Sequence, residues 1–192
     1  MAKTDPEAAR RQRRKTIRWV VTVFLITVVI SGIISLASDE VMDNSSLPVA
    51  FLILLAIVMV GIIFDIIGMA VASADEKPFH SMAARKVPGS QEAIRLLRNA
   101  ERVSSICNDV VGDICGVVSG SASATIAALI LTQVEVGWPR GVSLVMSALV
   151  AGLTVGGKAI GKTFAVNSCT QIVHTVGKVL HALNGLHGKK KK

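Results

Sequence analysis

The chain has 192 residues, 51% hydrophobic and only 18% charged, with a formal net charge of +8. That is slightly apolar and charge-poor for a soluble domain, and the charges crowd into the two ends and one central stretch, leaving long charge-free runs between them. The excess of Lys and Arg does not point to nucleic acid, because there is no Tyr and no zinc or helix-turn-helix signature to read bases with. Three cysteines, Cys107, Cys115 and Cys169, form neither a disulfide framework nor a zinc spacing and read as small buried side chains.

Residues 1–18 form a basic segment, and the uncharged run behind it, 19–37, is long enough to cross a ~30 Å hydrocarbon core as a helix. It is too long for a signal-peptide core and lacks a convincing cleavage site, so it is expected to be retained. A short acidic loop with Asp39, Glu40 and Asp43 leads to a second apolar run at 49–74, interrupted by one charge, Asp65. The mixed and basic stretch 77–104 keeps a rough helical spacing at Ile94, Leu96, Leu97 and Val103, which predicts one or two short amphipathic helices at the interface, broken near Pro88-Gly89. Further spans are predicted at 105–134 and 142–165, joined by a turn at Gly137-Trp138-Pro139-Arg140. The segment 166–192 reads as an amphipathic helix, with Cys169, Ile172, Val173, Val176, Leu180 and Leu183 on one face, and a lysine tail. Lying on the membrane and packing on the bundle are equally open for this helix.

The expected fold is therefore an all-α, polytopic membrane bundle of four transmembrane helices with amphipathic juxtamembrane helices. Lys and Arg number seven in the first segment and six in 77–102, against none in 39–48 and only Arg140 in 135–141. The positive-inside rule then predicts both termini on the cytoplasmic side of a cell membrane, with the basic ends against anionic lipid.

Ionisable residues within spans read as functional by default, which singles out Asp65, Asp109, Asp113 and Lys158. Asp109 and Asp113, flanked by Asn108, are four apart and share a face of a regular α-helix. Gly112, Gly116, Gly120, Ala124 and Ala128 recur at every fourth position of the same helix and predict a close-packing ridge. The acids beside it are expected to face a neighbouring helix, where they hold a cation or pair with Lys158; for Asp109, near the inner boundary, a solvated place at the helix end is equally open. Gly156 to Thr163 matches the phosphate-loop pattern G-x-x-x-x-G-K-[ST]. Its place at the end of a membrane span, with no strand before it, argues against nucleotide binding. No Ser/His/Asp arrangement, zinc spacing or carboxylate pair supports catalysis, so an enzyme is not expected.

The segment Gly157-Lys158-Ala159-Ile160-Gly161-Lys162-Thr163-Phe164-Ala165 resembles the Gly-Glu-x-x-Pro-Lys-Thr-x-Ala signature closing the transmembrane domain of the CNNM/CorB/CorC family of magnesium and cobalt transporters. Met69 to Asp75, Gln91 to Arg102 and Val111-Gly112-Asp113 resemble further motifs of that family in matching order, so that 49–165 reads as the shared core and 19–37 as an additional helix. The sequence departs from the pattern at Ile67-Gly68 (for Ser-Glu), Asp113 (for Asn), Lys158 (for Glu) and Gly161 (for Pro), and CBS domains do not follow the core. The resemblance implies transport of Mg2+ or Co2+, a homodimer, and an ion site at Asp113 and Gly112 with Asp65, Asp109 and Asn108 nearby. The Asn-to-Asp and Glu-to-Lys departures offset each other in charge and predict a buried Asp113–Lys158 pair. An alternative follows from them: a non-transporting scaffold or regulatory protein whose ion site that pair closes.

Overall fold

In the computed structural model, residues 6–43, 45–133 and 137–188 are described, and they are helical apart from short turns, with no strand among them. The expected lysine tail at 189–192 lies outside the described residues. The helices are α1 (Pro6–Asp43), α2 (Leu47–Ser73), α3 (Lys77–Ala84), α4 (Ser90–Arg98), α5 (Ala100–Ser105), α6 (Asp113–Gln133), α7 (Pro139–Asn167) and α8 (Cys169–Gly188). A π-helical stretch, Ile106–Gly112, joins α5 to α6 so that the chain runs as one helix from Ala100 to Gln133. Four helices are long and apolar enough to cross a membrane, with candidate spans Thr16–Ser38, Leu47–Ser73, Ala100–Gln133 and Pro139–Asn167. The chain is thus a four-span membrane bundle.

Proline starts several of these elements. Pro48, Pro78 and Pro139 sit in the first turns of α2, α3 and α7, where the missing N–H removes no helical bond and φ is already set. α2, α6 and α7 pack on one another, and α1 lies against α6. At the end where 45–46 and 137–138 turn the chain, hereafter the loop end, Leu54, Val58, Ala122, Ile126, Met146 and Val150 form an apolar core.

At the opposite end, α3, α4 and α8 make a platform whose core is Ala70, Val71, Phe79, Ala93, Ala165 and Val173. The turn from α3 to α4 carries the left-handed residues Lys86 (φ 56°) and Gly89 (φ 84°). Gly89 has a second reason to be glycine: a Cβ there would stand 2.5 Å from the backbone nitrogen of Lys178 on α8. Gly177 receives this contact, so α8 packs against α4. Leu183, expected on the apolar face, is 54% exposed.

Polar ties rim the platform. Glu76 Oε1 accepts from Arg98 Nε and lies the same 3.0 Å from His80 Nε2. Glu92 Oε1 is 3.0 Å from His181 Nδ1 and joins α4 to α8. A carboxylate only accepts, so Nδ1 carries the hydrogen, and this bond holds the Glu92 carboxyl below its ordinary value of 4.5.

Candidate intramembrane ion site

Between the two apolar cores lies a polar layer. Counted along α2 at 1.5 Å per residue, Asp65 is roughly 27 Å from Leu47 and roughly 12 Å from Ser73, so it belongs to the platform half of the span. It is 5% exposed. Close helix contacts bury it: a Cβ on Gly61 would stand 2.8 Å from Cys115 Cβ, and one on Gly68 would overlap Asn108 Oδ1. On the other side of α2, Ile62 and Ile66 press into Gly157 and Gly161 of α7, where a Cβ would come within 2.4 Å of Ile62 Cδ1 and 2.7 Å of Ile66 Cγ1. The string that resembles a phosphate loop is therefore continuous helix in the C-terminal half of α7, and its Gly157 and Gly161 serve helix packing as a G-x-x-x-G pair.

That packing delivers Lys158 to the layer. Its Nζ is 3.9 Å from Asp65 Oδ1 and 3.5 Å from the Gly112 carbonyl oxygen. Both distances are long for hydrogen bonds, so the ammonium is held by charge more than by directed bonds. Asp65 Oδ2 and Asn108 Oδ1 are buried and, among the described residues, have no hydrogen-bond partner. Asn108 uses its amide, Nδ2 donating to Ser104 Oγ at 3.3 Å. Two buried oxygen acceptors without donors, beside one loosely held cation, form an electron-rich layer short of positive partners.

The expected Asp113–Lys158 pair is not the one formed. Lys158 meets Asp65, while Asp113 and Asp109 are both exposed. In the helix that runs through the π-helical stretch, buried Gly112 is the residue turned towards α2 and Lys158, while Asp109 and Asp113 point outward. The expected close-packing ridge is corrected as well. Gly112 is buried beside Lys158, but Gly116 and Gly120 have nothing within 4 Å of a would-be Cβ, and Ala124 and Ala128 are exposed. Of the cysteines read as buried, only Cys107 is; Cys115 and Cys169 are partly exposed.

Asp65, Gly112 and Asn108 are therefore brought together with Lys158, whereas Asp109 and Asp113 are not. Among the described residues no group of three His, Cys, Asp or Glu side chains is placed to hold a metal ion. Sequence reasoning missed Gly61, Gly68, Gly157 and Gly161 as the residues that assemble the layer. A signal for two of them was present, since Gly157 and Gly161 have the spacing of a membrane-helix packing pair. Compared with protein-family models, with curated proteins and with solved structures, the chain matches none.

Proposed function

We propose that the protein is a small multi-pass membrane carrier for cations, similar in plan to the CNNM/CorB/CorC transporters, with its platform and both termini on the cytoplasmic side. The orientation rests on the basic residues of 1–18 and 77–102. The ion seat is Asp65 with the Gly112 carbonyl and Asn108 Oδ1, and Lys158 is its resting occupant. The observation that carries this reading is the pair of buried, unpartnered oxygens beside an ammonium 3.9 Å from Asp65. A divalent ion such as Mg2+ takes hard oxygen ligands and is repelled by a neighbouring ammonium. Loading the seat therefore requires Lys158 to move away, and cargo and lysine compete for one carboxylate.

Calorimetric titration of Mg2+ and Co2+ into purified protein tests this. Lys158→Met should bind more tightly than the parent, Asp65→Asn should lose binding, and Asp113→Asn should leave it unchanged. If neither the parent nor a folded Lys158→Met protein binds either ion, the layer seats no cation even with the ammonium removed. The second reading, a non-transporting scaffold or regulatory protein, then holds; the Lys158–Asp65 contact is the observation in its favour.

A further inference from the structure

A groove of about 200 Å³ runs between α6 and α7 on the loop-end side of Lys158, lined by Ser119, Ser123, Ser147 and Thr154 together with Gly116 and Gly120. Its apolar wall is Val150, Ala151 and Val155. The groove stops one helical turn short of the ion seat on both helices, because Thr154 precedes Lys158 by four residues and Gly116 follows Gly112 by four.

The hydroxyls are oriented alike. Ser119 donates to the Gly116 carbonyl at 3.0 Å, Ser123 to Gly120 at 2.7 Å and Thr154 to Val150 at 2.8 Å. Each of these three hydroxyl hydrogens is engaged by its own helix, which leaves their oxygen lone pairs as the groups free to meet an occupant. Such hydroxyls present acceptors to a cation or to water. The absence of side chains at Gly116 and Gly120, where a Cβ would meet nothing within 4 Å, keeps the groove open.

A second observation comes from Asp113. It is exposed on a membrane-spanning helix, three residues before Gly116 and seven before Gly120, and so on the side of α6 that carries these glycines. A carboxylate within a span faces protein or water rather than lipid chains, and a wet groove supplies that water. The volume has room for several molecules.

We infer that this hydroxyl-lined groove is the aqueous path by which a small cation reaches the Asp65–Lys158 seat from the loop end. The inference rests on the reading of that layer as a cation seat. Cations pass along oxygen lone pairs to Thr154 and meet Lys158 next, so the lysine stands between path and seat.

The test uses single cysteines at Ser147 and Thr154 in the full chain, reconstituted in vesicles. A third at Leu149, 63% exposed on the apolar side of α7, is the lipid-facing control. The probe is a membrane-impermeant cationic methanethiosulfonate, with the parent's native thiols as background. Groove cysteines should react at least about tenfold faster than Leu149→Cys, because thiol chemistry needs water and access, and Mg2+ should slow the reaction at Thr154→Cys. Groove cysteines reacting no faster than Leu149→Cys, but labelled by a lipid-soluble maleimide, would mean lipid fills the groove and overturns the path. Groove cysteines shielded from both reagents would mean a second copy covers it, which also overturns the path. If the groove cysteines react fast but Mg2+ neither slows them nor binds the protein, the path stands and the cation seat falls. Ser147 is exposed and Ser→Cys is nearly isosteric, so that variant folds even where a deeper one does not.

Discussion

The first span and the third make an instructive contrast. Thr16–Ser38 is the more apolar of the two, yet none of its apolar window is buried; Ala100–Gln133 is less apolar and 39% of its window is buried. In a bilayer, hydropathy selects what enters the membrane, whereas helix association needs close approach and polar contacts, since lipid chains are as apolar as a leucine. Helix α1 meets α6 along a shallow seam of Val23, Thr27, Ser31 and Ser35, half-buried at every fourth position. The α2, α6 and α7 core uses glycines on both sides of α2 and one intramembrane charge contact. Stability and chemistry concentrate in the second region, and substitutions of the same type should behave differently in the two.

The largest difference is expected at the charge contact. Lys158→Met should destabilise the protein by about 3–5 kcal/mol, because it strands the Asp65 carboxylate in a buried layer. The double variant Asp65→Asn/Lys158→Met should recover most of that loss, since no charge remains to be solvated. Reversible unfolding in detergent measures both, and a double variant no better than the single one would show that the lysine acts by packing alone. Glycine comes next. Gly61→Ala drives a Cβ to 2.8 Å from Cys115 Cβ, an atom that rotamer changes cannot move, and should cost about 1–3 kcal/mol. The same change at Gly32 of α1 meets nothing within 4 Å and should stabilise by up to about 1 kcal/mol through helix propensity. Equal melting shifts for the two would erase the distinction between peripheral and core helices.

The same contrast explains what could be read from the residues in order. The four spans were legible at 19–37, 49–74, 105–134 and 142–165 because run length and absence of charge are local properties. Asp65 was legible as a cost that needed a compensating partner. Its partner was not, because the choice between Asp65 and Asp113 depends on how α7 docks on α2, a contact between distant segments. Gly157 and Gly161 were visible but matched two patterns at once, and only the neighbouring Ile62 and Ile66 decide that they receive side chains rather than phosphate. The break at Pro88-Gly89 was readable from turn chemistry, whereas its docking on Gly177 is a contact between segments 88 residues apart and has no local signature.

Smaller effects are expected where α1 and α5 are tied at their edges. Arg102 lies over the Trp19 ring at 6.0 Å from its centroid, a contact worth about 0.5–1 kcal/mol at an exposed site. Trp19→Leu keeps the apolar bulk and removes the quadrupole. It should lower stability by no more than that and leave Mg2+ titrations of the protein unchanged, which separates α1 from the proposed seat.

The smallest effect belongs to Glu92 and His181. Glu92 titrates below its ordinary value of 4.5 because the His181 ring N–H donates to it. A carboxyl depressed in the folded state contributes stability that is fully present above the unfolded value and is lost as pH falls through the folded one. The α4–α8 clamp should therefore be constant near neutrality and weaken only in the acid range below about 4.5. His181 is largely exposed, so solvent screening keeps the contribution under about 1 kcal/mol. His181→Ala should return the Glu92 carboxyl towards its ordinary value, readable by carbon-13 NMR of the labelled side chain. It should also flatten the acid limb of the melting curve while leaving the neutral plateau within a few tenths of a kcal/mol. A plateau that drops by several kcal/mol would instead assign the clamp to the histidine and not to the Gly89–Gly177 contact, where a Cβ on Gly177 would overlap the Gly89 carbonyl oxygen.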